Sequence, residues 1–199
     1  MRATRIMTIG ALLLGLCAGS AAASSGWFWG ITYEPSVPIG DLDDFSRDSF
    51  SWRGVGVEGR TWFREELSVG FAVSWNVFHS RLSDQTFSQP GIDLHGTQMR
   101  DVNAVPIYLN MHYYMGRPYD WRFFFGLNAG TIFAEHRLDM GLYSFREENW
   151  HLAVAPEVGV QLPYDRLLGY VAVRWNNGFQ AGAIDEISYF SFRLGFGLR

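Results

Sequence analysis

The chain ends with the stretch YFSFRLGFGLR, residues 189–199, in which every second residue is large and apolar. Successive side chains of a β-strand point to opposite faces, so the stretch predicts a strand with one apolar face and one face of small or charged groups. The apolar positions are Phe190, Phe192, Leu194, Phe196 and Leu198. Such a strand can lie in a bilayer only within a closed barrel, because closure satisfies every backbone hydrogen-bonding group.

Seven further segments alternate in the same way, and no segment with helical periodicity competes with them. They are residues 27–34, 52–62, 67–78, 100–114, 121–136, 149–162 and 167–176. The connections alternate in length: short turns lie at 63–66, 115–120 and 163–166, and longer connections lie at 35–51, 79–99, 137–148 and 177–186. Short turns at one end and long extracellular loops at the other are typical of outer-membrane barrels. The pattern therefore predicts an all-β, eight-stranded antiparallel up-and-down transmembrane β-barrel.

The first residues predict a secretory signal peptide over residues 1–23, which leaves 24–199 as the barrel domain. Its parts are the arginines Arg2 and Arg5, the apolar run 6–16 and the small residues Ala21, Ala22 and Ala23. The apolar run is too short to span a membrane as a helix. Lipoprotein processing at Cys17 is the alternative, but Leu16 stands where that signal needs a small residue. Export, together with the barrel pattern, predicts a location in the outer membrane.

Volume and tryptophan position both predict that the apolar face points to lipid. An eight-stranded barrel is just wide enough to be filled by side chains, and the apolar set holds too many aromatic residues for that space. A secreted lipocalin-like barrel would instead carry its apolar residues inside. If the odd strands run outward, the tryptophans fall near strand ends, as two interfacial aromatic girdles require. The periplasmic girdle is Trp27, Trp29, Trp62 and Trp121, and the extracellular girdle is Trp52, Trp75, Trp150 and Trp175.

These features resemble the small OmpA/OmpX type of outer-membrane β-barrel, the bacterial outer-membrane protein beta-barrel domain with porin-like members. The stretches YEPSVPIGD at 33–41 and APEVGV at 155–160 are similar to stretches of that family. The resemblance implies a monomer among outer-membrane lipid and lipopolysaccharide, inserted by the barrel assembly machinery through the C-terminal strand. Family members usually end with an aromatic residue, whereas this chain ends Leu198-Arg199, so less efficient assembly is expected. A fold-level resemblance specifies no chemistry.

Five charged residues fall on the predicted inward face of the strands, where they form a candidate lumen charge network. They are Glu58, Arg60, Glu157, Arg174 and Arg193. Buried charges must be paired, and a narrow lumen brings them within reach of one another, so the network is interpreted as structural. The alternative is a gate, in which an exchange of ion-pair partners opens a narrow water path.

The sequence gives little support for a metal site, a cofactor or a nucleic-acid partner. The histidines His79, His95, His112, His136 and His151 are scattered without ligand spacing, which predicts no metal site. Asp41, Asp43 and Asp44 crowd one loop, but the glycine and distal glutamate of a dedicated calcium site are missing. No cofactor motif is present. The net charge of −4 without a basic tail argues against nucleic acid as a partner.

Three functions remain open at this stage. We expect a non-enzymatic barrel with a structural or surface-interaction role for its extracellular loops. The alternative is a narrow, low-conductance pore for ions or small solutes. The third is a lipid A-modifying enzyme at the barrel rim, for which His79-Ser80 is the nearest candidate pair. Adjacent strand residues face opposite ways, so that pair is poorly placed to share a proton.

Overall fold

The computed structural model describes residues 26–46, 50–89, 92–118, 120–140, 143–164, 166–180 and 186–198. The predicted signal peptide lies outside these ranges. The strands are β1 (Trp27–Tyr33), β2 (Ser36–Ile39), β3 (Gly54–Arg64), β4 (Leu67–Gln89), β5 (Ile92–Met115), β6 (Arg122–Met140), β7 (Tyr143–Tyr164), β8 (Leu167–Gly178) and β9 (Ile187–Leu198), and the helix α1 spans Asp41–Ser46. Within the described ranges, no helix is long and apolar enough to cross a membrane.

The strands form one antiparallel sheet that closes on itself. From β3 onward each strand pairs with the next in sequence, and β1 pairs with both β3 and β9, which completes the ring. Up to the level at which β3 and β8 end, closure leaves no unpaired strand edge among the described residues, as a bilayer requires. The predicted all-β up-and-down barrel is thereby confirmed.

Strands β1 and β2 are two parts of one barrel stave. Both pair with β9, and the register continues without a shift from Tyr33 opposite Leu194 to Ser36 opposite Ser191. Between them the Pro35 carbonyl accepts a hydrogen bond from the Phe192 N–H at 2.8 Å. The nine strands therefore make eight staves. The first stave extends past the predicted end at residue 34, because β2 pairs as a strand with β9 alone and so tolerates proline.

Three of the four predicted loops consist largely of regular structure, and the fourth begins with the last two residues of β8. Most of 79–99 belongs to β4 and β5, and much of 137–148 belongs to β6 and β7, so these segments are strands that continue beyond the predicted boundaries. The segment 35–51 contains β2 and α1. For 177–186, the structure describes 177–180 and 186. The sequence did not predict these strand extensions because they lack a regular alternation of apolar and polar residues. Such alternation marks only strands with one apolar face.

Helix α1 folds into the extracellular mouth of the barrel, although the sequence predicts an outward loop there. Gly40 has a φ of 61°, a left-handed conformation that favours glycine, and turns the chain from β2 into the helix. Leu42 is 1% exposed and packs into the apolar cluster at this end of the lumen. The Phe45 carbonyl accepts a hydrogen bond from Arg100 Nη1 at 2.7 Å, and its ring stacks on His136 at 4.8 Å. Helix α1 thus caps the barrel mouth.

The outer wall of the barrel is apolar. Along β9 the apolar side chains are exposed, from 37% at Phe190 to 63% at Leu198. The alternate residues Ser191 and Arg193 are 0% and 1% exposed. The stripe that ends the sequence therefore faces outward, as predicted, and the small and charged residues line the lumen.

Candidate functional site

The lumen is filled by three layers of side chains. The periplasmic layer is apolar and aromatic, and includes Phe28, Trp62, Tyr114, Phe124, Leu168 and Tyr170. The extracellular layer lies under α1 and includes Leu42, Phe78, Val102, Ile132, Ile187 and Tyr189. A layer of charged residues lies between them. The interior of the barrel is therefore a packed core with a polar centre.

Six charged residues make up the central layer, and each is at most 1% exposed. They are Glu34, Glu58, Glu157, Arg60, Arg174 and Arg193. Three negative and three positive side chains give the layer a formal charge of zero. Balance matters here because an unpaired buried charge costs several kcal/mol.

Arg193 is the centre of this charge network. Its Nε donates to Glu34 Oε1 at 3.0 Å, its Nη1 to Glu157 Oε1 at 2.7 Å and its Nη2 to Glu58 Oε2 at 2.9 Å. Each of the three nitrogens thus meets a different carboxylate. Charge-assisted hydrogen bonds of this length are among the strongest in proteins.

The other two arginines complete the pairing of the carboxylates. Arg174 Nη2 donates to Glu34 Oε2 at 2.8 Å and to Ser74 Oγ at 3.2 Å. Arg60 Nη2 donates to Glu58 Oε2 at 3.0 Å. Glu34 also accepts a hydrogen bond from the Thr32 hydroxyl at 2.7 Å.

Aromatic rings of the neighbouring layers cover the guanidinium groups. The Arg60 guanidinium lies 4.6 Å from the centre of the Tyr170 ring, and that of Arg193 lies 5.4 Å from the same centre. From the extracellular side, the Tyr108 ring centre is 5.3 Å from Arg174. Such contacts stabilise a cation that has lost its water. The charges are thus enclosed on both sides by aromatic groups.

All five residues of the predicted charge network meet in this layer, and the structure adds Glu34. A signal for Glu34 was present in the sequence. The apolar outward residues of the first strand, Trp29, Ile31 and Tyr33, occupy odd positions, so Glu34 falls on the inward phase. Glu34 was not predicted as part of the network because it is the last residue of the predicted first strand, next to a predicted loop.

Trp62 does not belong to the periplasmic girdle, where the sequence analysis placed it. It is 6% exposed and packs inside the barrel against Tyr114, with ring centres 5.8 Å apart. The physical reason is the strand period: Trp62 lies two residues after Arg60 and therefore shares its inward face. Phe63, 49% exposed, stands on the outer face instead. The other seven tryptophans, Trp27, Trp29, Trp52, Trp75, Trp121, Trp150 and Trp175, are exposed on the outside.

The histidines with described side chains lie apart, each beside a different group. His112 Nε2 is 3.8 Å from Glu157 Oε2, His136 stacks on Phe45, and His151 Nδ1 is 2.9 Å from the Phe179 carbonyl oxygen. The side chain of His95 lies outside the described part. Asp41, Asp43 and Asp44 fall in α1. Across the described ranges, no group of three His, Cys, Asp or Glu side chains is arranged to hold a metal ion.

The candidate enzyme pair lies on opposite faces of β4. Ser80 is 8% exposed and faces inward, whereas the His79 side chain is 40% exposed on the outside. His79 Nδ1 is 2.5 Å from Asp101 Oδ1 on the neighbouring strand. The histidine therefore has a carboxylate beside it, but the adjacent serine is turned away from it.

The closed antiparallel sheet and the apolar outer wall give this chain the fold of the small outer-membrane β-barrels. The sequence matches no protein-family model and no curated protein. The fold is similar to that of Ail, the attachment invasion locus protein of Yersinia pestis, at 12% identity and a TM-score of 0.52, over 87% of this chain and 96% of that one. Neisserial surface protein A is similar at 9% identity and a TM-score of 0.57, over 88% and 99%. OprG of Pseudomonas aeruginosa is similar at 15% identity and a TM-score of 0.52, over 87% and 95%.

Proposed function

We propose that this barrel is a non-enzymatic surface-interaction protein, which presents a protruding sheet to extracellular partners and does not conduct solutes. The observation that carries the proposal is the unequal height of the barrel wall. Strands β4 to β7 continue well past the extracellular ends of β3 and β8, so one half of the wall rises above the other.

The protruding sheet consists of residues 77–89, 92–103, 135–140 and 143–152. On the β3 side the ladder with β4 ends at Gly54 opposite Asn76, and on the β8 side the ladder with β7 ends at Gly178 opposite Ala153. The tallest hairpin, between β4 and β5, rises at most about 43 Å above that level at roughly 3.3 Å per residue. A structure of this size exceeds what closure of the barrel requires.

The outer face of the protruding sheet is charged in both signs. Arg137 Nε is 2.8 Å from Asp139, and Arg146 Nη2 lies 3.0 Å from Glu135 and 2.7 Å from Glu148. These exposed pairs contribute little to stability, because solvent screens them. Charged groups that contribute little to the fold remain available to orient a polar partner.

The edges of the protruding sheet offer a second mode of contact. Among the described residues, no strand pairs with 78–89 of β4 on its β3 side or with 143–151 of β7 on its β8 side. Exposed edges carry backbone donors and acceptors that can pair with an extended segment of another chain. Both edges lie above the extracellular ends of β3 and β8, where an extracellular partner can reach them.

The packed lumen supports a role without conduction. Apolar layers lie on both sides of the charge network, and α1 caps the extracellular side. Several buried polar atoms, including those of the Asn110 side chain and Asn128 Oδ1, have no hydrogen-bond partner among the described residues and suit internal water. Such water would be enclosed between the two apolar layers. Of the similar structures, one is named an attachment invasion locus protein and another a surface protein, which is consistent with a surface role.

The test compares the full chain with a variant in which residues 80–100 are replaced by a two-residue Asn-Gly turn. Both are refolded into lipid nanodiscs and passed over an immobilised panel of extracellular matrix and serum proteins. We expect the full chain to bind at least one panel member and the shortened barrel to bind none. Equal binding of the two forms, or no binding by either, would contradict the proposal.

Planar-bilayer recording tests the exclusion of a pore with the same two proteins. We expect no discrete channel openings from either protein, because the lumen layers are intact in both. Steady single-channel conductance from the full chain would favour the pore instead.

A further inference from the structure

The closing strand β9 brings the central arginine into the charge network. On one side β9 pairs with β8, and on the other it pairs with β1 and β2. The three glutamates that Arg193 meets come from three different staves: Glu34 from the first, Glu58 from β3 and Glu157 from β7. Docking of β9 therefore joins groups from around the whole barrel.

The apolar stripe of β9 does not by itself determine how this strand aligns with its neighbours. A slide by one residue would turn the apolar stripe into the lumen and the charged face toward lipid, so the bilayer excludes this slide. A slide by two residues, about 6.6 Å, keeps every apolar side chain on the lipid side. The choice among registers that differ by two must therefore come from the residues that face the lumen.

Packing at the centre of the strand opposes one of the two possible slides. It would bring Arg193 to the place of Gly195, where a Cβ atom would lie 2.1 Å from the Tyr170 ring. Any side chain there must displace the buried Tyr170 ring, and an arginine needs far more room than a methyl group.

Packing opposes the other slide at the two ends of the strand. At the extracellular end Ser191 would take the place of Tyr189, and Tyr189 that of Ile187, both of which are fully buried. At the centre Tyr170 would face Gly197, which is also without a side chain. The place of Gly197 itself is tight, since a Cβ there would lie 2.0 Å from the Trp29 carbonyl oxygen. That contact lies at the periplasmic end of the seam, where β9 can fray and leave the rest of its ladder intact.

Charge opposes this second slide at its centre. Arg193 would occupy the place of Ser191, which lies directly opposite Arg174 on β8. It would move about 6.6 Å away from Glu58 and Glu157 and face a like charge. The buried ion-pair network thus favours the native register over this one at the centre of the strand.

We propose that Arg193 selects the register in which the barrel closes. Its guanidinium group suits this role because Nε, Nη1 and Nη2 are held in a rigid planar fork, and each nitrogen reaches one glutamate. A lysine would supply the charge from a single nitrogen on a flexible stem and could not meet the same three groups. The apolar stripe decides which face of β9 meets lipid, and Arg193 decides the alignment.

Disulfide trapping at lipid-facing positions distinguishes the two registers. In a Cys17→Ala background, Val171→Cys with Leu194→Cys reports the native register, in which these residues are paired. Val171→Cys with Phe196→Cys reports the slide by two. Directly paired residues have Cα atoms about 4.5–5.5 Å apart, within reach of a disulfide, whereas diagonal ones are roughly 7–8 Å apart.

The trapping experiment is run in four variants after refolding into lipid vesicles. They are Arg193→Met, Arg193→Lys, Arg193→Met combined with Glu157→Gln, and the exposed-arginine control Arg81→Met. The double variant has two acids and two bases in the network, so it restores charge balance without the guanidinium. We expect all three Arg193 variants to raise the yield of the slipped disulfide at least about tenfold. The Arg81 control should behave as the parent chain does.

The outcomes separate register selection from simple stabilisation. Native disulfides alone in Arg193→Lys and in the double variant would overturn the proposal. If Arg193→Met forms the slipped disulfide but the double variant does not, charge balance rather than the guanidinium selects the register. That result would also overturn the proposal. If every Arg193 variant forms neither disulfide, Arg193 is needed for closure as such and the proposal is wrong.

Discussion

Arg193 Nε donates a hydrogen bond to Glu34 Oε1 at 3.0 Å, across a separation of 159 residues. The two residues lie on the last and first staves, so the bond joins the two ends of the sheet inside the lumen. Glu34 stands at the interruption between β1 and β2, where its side chain also meets Arg174. The barrel is therefore closed both by the backbone ladder on its wall and by an ion network at its centre.

Removal of one carboxylate should show how much that network stabilises the barrel. Glu157→Gln leaves two acids facing three arginines, and we expect the free energy of unfolding to fall by about 3–5 kcal/mol. Urea unfolding in detergent micelles measures it. Glu148→Gln is the matched control: its carboxylate pairs with Arg146 on the exposed outer face, and about 0–1 kcal/mol is expected there. Equal urea midpoints for the two variants would mean that the network is not stabilising.

Two glycines on neighbouring strands should respond differently to the same substitution. In Gly195→Ala the new methyl group would lie 2.1 Å from the Tyr170 ring, so we expect a loss of roughly 1–3 kcal/mol from overpacking. In Gly169→Ala the nearest atoms are 3.8 and 3.9 Å away, so little change is expected. Thermal unfolding of the two variants in the same detergent makes the comparison. A tolerant Gly195→Ala would show that Tyr170 can move aside.

Helix α1 should detach from the barrel mouth when its buried anchor is shortened. Leu42→Ala removes a side chain that is 1% exposed, and we expect the docked helix to lose about 2 kcal/mol or more. Hydrogen exchange of the α1 amides should then accelerate at least roughly thirtyfold. The control is Asp43→Ala, at an exposed position of the same helix. Unchanged exchange in Leu42→Ala would show that α1 is held by its other contacts, such as that between Phe45 and Arg100.

Fluorescence quenching should distinguish the inward tryptophan from its outward counterparts. In single-tryptophan variants reconstituted with brominated lipid, Trp121, 76% exposed on the outer face, should be quenched strongly. Trp62, 6% exposed and packed on Tyr114, should be quenched weakly because the barrel wall separates it from the lipid. Strong quenching of Trp62 would return it to the periplasmic girdle and contradict the inward placement.

The protruding sheet carries a carboxylate whose titration can be followed directly. A hydrogen bond from Ser144 and the neighbouring Arg137 hold the pKa of Asp139 below its ordinary value. A lowered carboxylate pKa stabilises the folded hairpin above the unfolded pKa, and that contribution disappears as the pH falls through the folded pKa. We expect Ser144→Ala to raise the pKa of Asp139, as measured by NMR titration of the carboxyl carbon. No change would indicate that Arg137 alone sets it.

The sequence predicted well those features that depend on local periodicity. The terminal stripe gives the lipid face of β9, and the same reasoning gives the inward phase of Glu58, Arg60 and Glu157. The prediction of an outward Trp62 was wrong, although the strand period itself places Trp62 on the same inward face as Arg60. The extensions of β4 to β7 escaped prediction because, in water, both faces of a strand can be polar.

The sequence by itself determined that the chain forms a membrane barrel, because the alternation of side chains and the need to satisfy backbone groups in lipid act along each strand. Only the tertiary structure decided which lumen charges meet, because a pair such as Glu34 and Arg193 depends on the stagger of all eight staves. It also decided that α1 turns inward, since Leu42 finds an apolar site only after the barrel has closed. Contacts across the lumen arise from closure, which no local pattern encodes.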